Sequence, residues 1–154
     1  MNTFHDLFRQ PTRPIGGTST RDRRRELFPG FVERSPKFHL WTPDQVASAQ
    51  GSRLLLGVAT WSGYDMNLLD LIEEAPDTGV RVEVLDIDAF TSADELARLF
   101  PGIPFFQPPL AGHWVDGKLI DSAAGFKGRQ LVAQLLGLDA AEVADRMNTV
   151  ISRV

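Results

Sequence analysis

Near the middle of the chain, Leu54-Leu55-Leu56-Gly57-Val58-Ala59 form an unbroken apolar run. The run has strand length and no polar alternation, which suits a central strand covered on both faces. Such a strand needs helices above and below it. A chain of 154 residues with 43% hydrophobic content has the material for one domain of that kind.

The flanking patterns supply the other elements. Thr42-Pro43-Asp44 has the residues of a helix start and predicts a short helix to about Ala49, before Gly51-Ser52 turns the chain. Leu68, Leu69, Leu71 and Ile72 share one face of a helix predicted over 65–75, stopped by Pro76, Asp77 and Gly79. Residues 80–88 read as a second buried strand, with Asp86 and Asp88 capping or turning the chain at its end. Ser92-Ala93-Asp94-Glu95 is a capping box that opens a helix with Leu96, Leu99 and Phe100 inward. A proline-rich loop runs from Pro101 to Pro109. Asp116-Gly117 then joins two strand-like runs, 110–115 and 118–123, and predicts a tight hairpin whose turn residues take positive φ. Leu131, Val132, Leu135 and Leu136 mark a helix over 125–137. Val143, Met147, Val150, Ile151 and Val154 mark a last amphipathic helix from about Asp139. The order predicts an α/β fold with a mixed sheet, helices on both faces and an extra C-terminal helix.

Residues 1–38 read differently. Pro11, Pro14, Gly16, Gly17, Pro29, Gly30 and Pro36 break periodicity, so the expectation is an irregular arm with one helical turn near Arg21–Leu27, ahead of a domain over 39–154. Eight basic and four acidic residues give the arm +4 and leave −8 on the remainder. Arg21, Arg23, Arg24 and Arg25, with Phe28 and Phe31, are candidate contacts to a partner. The plainer reading is a solvated tail folded on its own body. Contact with nucleic acid or an anionic membrane has little beside it, since no zinc finger, helix-turn-helix or stacking platform accompanies the basic run.

Several chemistries are excluded or unsupported. With no cysteine there is no disulfide, no thiolate metal site and no thiol redox pair. No His or Cys joins Asp86, Asp88, Asp94 and Glu95 at ligand spacing, so no metal and no cofactor are expected. The start has no basic-then-apolar leader and no run is long enough to span a membrane, so the expected location is the cytoplasm.

One stretch gives the chain a resemblance. Trp61-Ser62-Gly63-Tyr64-Asp65 follows the central strand and opens a helix, where thioredoxins carry Trp-Cys-Gly-Pro-Cys. Val84-Leu85-Asp86-Ile87-Asp88 resembles the family's next strand, and Pro109 stands where it has a cis-proline, with matching spacing to Gly117 and Gly125. Over roughly 51–137 the chain thus resembles the thioredoxin-like superfamily. By that resemblance Trp61, Ser62, Gly63, Tyr64, Asp65 and Pro109 hold the positions of an active site whose chemistry is gone. Serine and aspartate replace both cysteines, and Leu56 stands where the assisting buried carboxylate belongs. Residues 100–108 form an insertion that a plain thioredoxin lacks.

The implied function is binding. A groove rimmed by Trp61, Tyr64, Phe105, Phe106 and Pro109 suits protein docking, and equally those aromatics fill the domain's own core. The leading expectation is a redox-inactive accessory or scaffold subunit, or an assembly factor, of a larger complex. The alternative is a glutathione-like or anionic ligand, or an enzyme, at the Ser62/Asp65 helix terminus beside Pro109. A serine nucleophile at Ser62 needs a base from His5, His39 or His113, none of which sits in a triad motif. The plain role for Asp65 is to cap the helix.

Overall fold

The computed structural model describes residues 4–8, 20–42, 50–90, 93–103 and 106–148; the side chains of 5, 8 and 20–24 are outside the described set. The expected helix at 42–49, the Ser92 cap, Phe105 and the apolar residues Val150, Ile151 and Val154 fall wholly or largely outside it.

The apolar run forms β2 (Ser52–Val58), the centre of a five-stranded sheet. On one side β2 runs parallel to β3 (Arg81–Asp86), which is flanked in parallel by β1 (Phe38–Leu40). On the other it runs antiparallel to β4 (Leu110–Val115), which pairs with β5 (Lys118–Ala124). The order is β1-β3-β2-β4-β5. Asp116 and Gly117 make the β4–β5 turn with φ of 50° and 79°, the positive values that such a turn requires.

Alternation sends β2 side chains to two cores. Leu54, Leu56 and Val58 face α3 (Gly63–Glu74), α5 (Gly125–Leu136) and α6 (Ala140–Asn148) in the larger one. Leu55, with Leu85 and Leu110, meets Leu96 of α4 (Ala93–Leu99) and Phe100 in the smaller one. β3 stops at Asp86, whose carboxylate accepts the Asp88 N–H at 2.9 Å and starts a 3₁₀ turn over Ile87–Ala89. The reading of these aspartates as turn-makers agrees with that.

One expectation is corrected. The irregular arm contains α1 (Phe4–Phe8) and α2 (Thr20–Arg34), a 15-residue helix that continues through Pro29. Proline in a helix interior costs about 3 kcal/mol. Here Phe28, Phe31 and Val32 are buried on the sheet, and that burial outweighs it. Phe4 is 2% exposed, and its ring lies 6.2, 6.3 and 5.4 Å from those of Phe28, Phe31 and Phe38. Its backbone N–H donates to Asp70 of α3 at 2.7 Å.

The buried strands also carry charge. Arg53 of β2 and Glu83 of β3 form an ion pair at 2.6 Å, with side chains only 4% and 2% exposed. Arg81 adds a second cation 3.5 Å from the same carboxylate oxygen.

Candidate functional site

β2 ends at Val58 and the chain turns through Ala59–Ser62 into α3. Ser62 is the N-cap: its Oγ accepts the Asp65 N–H at 3.3 Å, and its own N–H donates to the Ala59 carbonyl at 3.0 Å. Asp65, at the third helical position, reaches back and accepts the Ala59 N–H at 2.9 Å. The pair resembles a capping box in which the acid satisfies the end of the preceding strand instead of the cap residue. The expectation that Asp65 caps the helix is therefore corrected. Ser62 caps it, because the serine sits at the non-helical boundary where its oxygen meets the free N–H groups.

Asp65 is 1% exposed. Burial pushes its carboxyl up to about 7, against the opposing pull of the Ala59 N–H and the nearby Arg129 charge. Arg129 comes from α5, and its position was not anticipated from sequence. Thr60 is fully buried in the same turn, and its hydroxyl has no hydrogen-bond partner among the described residues.

Pro109 is buried, and the bond from Pro108 to it is cis. Its carbonyl accepts the Gly125 N–H at 3.1 Å, while the Gln107 carbonyl accepts the same N–H at 2.8 Å. One turn on, a Cβ at Gly128 would collide with the Pro109 carbonyl oxygen, so α5 packs on this loop only because position 128 is glycine. The spacing Gly125-x-x-Gly128 was the sequence signal for that approach. α5 is thus held on the Pro109 loop, and its Arg129 charge acts on Asp65.

The candidate residues divide by burial. Trp61 is 45% exposed and Phe126, at the start of α5, is 66% exposed. Tyr64 is half-buried against the larger core, Phe106 is half-buried against the smaller one, and Gly63 is buried. Phe28 and Phe31 are turned into the chain's own core, at 1% and 8% exposure, where a partner does not reach them. Arg25 lies with its Nε 3.7 Å from Asp86 of β3. The side chains of Arg21, Arg23 and Arg24 lie outside the described residues, as does Phe105.

Neither described histidine contacts Ser62. His113 shares a hydrogen bond of 2.9 Å with Ser52 across β2 and β4, and His39 is exposed on β1. Among the described residues no group of three or more His, Cys, Asp or Glu can hold a metal. None of their helices is long and apolar enough to cross a membrane.

Three parallel strands flanked by an antiparallel hairpin, with α3 opening directly from the central strand, define a thioredoxin-like fold, here with no cysteine in it. No known family profile matches the sequence, and no curated protein does. Among solved structures the chain is similar to a point mutant of a thioredoxin from Halobacterium salinarum NRC-1. The match has 19% identity and a TM-score of 0.44, and covers 73% of this chain and 87% of that one.

Proposed function

We propose that this chain works by binding other proteins, as an accessory or scaffold subunit or an assembly factor of a larger complex. It cannot exchange disulfides, because it has no thiol. The observation that carries the reading is a division of labour at the start of α3. Ser62 and Asp65 are buried and occupied with backbone N–H groups, while the adjacent Trp61 is exposed, as are Phe126 at the start of α5 and Ile120 of β5. Exposed aromatics of this size are typical anchors of protein interfaces.

The small-ligand alternative has less support. A ligand at the helix terminus needs free N–H groups, and Ser62 Oγ already takes that of Asp65.

The test is isolation of the full-length tagged chain from its own source at moderate salt, beside Trp61→Ala and Phe126→Ala. The expected result is a stoichiometric protein partner whose recovery falls about tenfold in at least one variant at unchanged melting temperature. A lone monomer, or a partner retained equally by both variants, overturns the proposal.

A further inference from the structure

A second concavity lies at the opposite end of α3 from Ser62, about 18 Å away along its 12 residues. It is a cleft of about 450 Å³ between β1, the start of β3 and the 75–80 segment. That volume is in the range of small-molecule sites, about 300–1,000 Å³. Its floor is apolar: Ile72, Val82 and Leu136 reach it from three different elements and are otherwise buried.

Its rim is basic, although the whole chain carries −4. Lys37, His39 and Arg81 all border it. The Lys37 ammonium is anchored by donating to the Ala75 carbonyl, which leaves two further N–H donors. Arg81 approaches Glu83 through Nε at 3.5 Å, but that carboxylate is held more closely by Arg53 at 2.6 Å, so the Arg81 charge is only partly balanced. His39 is exposed. The single acid on the rim, Asp77, uses a carboxylate oxygen to accept the Gly79 N–H at 2.9 Å.

We propose that this cleft binds a small organic oxyanion, a carboxylate or phosphate carried on an apolar body. The head group meets Arg81, His39 and Lys37, and the body covers Ile72, Val82 and Leu136. Arg81 brings a guanidinium and Lys37 an ammonium to the lining of the cleft, the donors that oxyanions select. The apolar floor adds affinity that a bare inorganic ion does not gain. The site is separate from the Trp61 surface and does not depend on the partner-binding reading.

The test is a nuclear magnetic resonance titration of the isotope-labelled full chain with hexanoate, hexyl phosphate and neutral hexanol. Saturable shifts are expected at the amides of Lys37, His39 and Arg81 with at least one of the two anions and not with hexanol. Affinity is expected to fall about tenfold in the His39→Gln/Arg81→Gln variant, whose two sites are exposed. On the native chain it should fall severalfold as salt rises from about 20 to about 200 mM. An absence of saturable shifts, equal binding of hexanol, or affinity indifferent to both salt and the double variant overturns the site.

Discussion

At Asp65 a single carboxyl sets a pH dependence for the fold. Its folded-state value of about 7 lies above the ordinary 3.8, so the unfolded chain binds fewer protons between those values. The stability this group contributes is therefore complete below about 3.8 and is lost as pH rises through about 7. Asp65→Asn keeps an acceptor for the Ala59 N–H and removes the charge. Denaturant unfolding at about pH 5 and about pH 8 should show a smaller loss of stability for the variant. Its advantage at the higher pH should be on the order of 2–4 kcal/mol. A native protein equally stable at both pH values would show that the carboxyl is not held protonated. Sequence revealed the residue and its place at a helix start. It did not reveal the burial, because that depends on packing by elements distant in the chain.

Among the elements, β2 and β3 pair through their backbones and also through the Arg53–Glu83 ion pair. Removing one member leaves a buried charge without its partner, so Glu83→Gln is expected to cost about 3–5 kcal/mol. Replacing both at once, Arg53→Met with Glu83→Leu, should recover most of that loss, because well-packed apolar groups substitute for a buried pair. Chemical denaturation of the single and double variants checks both outcomes. The strands themselves were legible from apolar runs and β-branched content. The charge pair inside them was not, since a pair across two strands has no local pattern. The extent of α2, read as one turn near Arg21–Leu27, was missed for a related reason. Pro29 and Gly30 argue against a helix when counted locally, and only the packing of Phe28, Phe31 and Val32 on the sheet overrides them.

Across the whole molecule, the first described residues belong to the same core as the last. Phe4, Leu7, Phe28 and Phe38 share a cluster with Val143 and Met147 of α6. Phe4→Ala is expected to cost about 3–5 kcal/mol, a value typical of a fully buried ring, and thermal melts followed by circular dichroism measure it. If the stability change is under about 0.5 kcal/mol, α1 is not part of the cooperative unit. On the same reasoning, trimming residues 1–38 to test partner binding would expose core surface, so point changes at Trp61 and Phe126 are the cleaner probes.

The order of strands and helices over 51–137, the hairpin at Asp116-Gly117 and the loss of thiol chemistry were all readable from the chain alone. Each depends on neighbours within a few residues, or on a residue type that is absent. The N-terminal packing, the buried ion pair and the burial of Asp65 belong to the tertiary structure. Phe4 meets Asp70 across 66 positions and Arg53 meets Glu83 across 30. Contacts at that separation carry no periodic signature, because they exist only once the sheet has brought its strands and covering helices together.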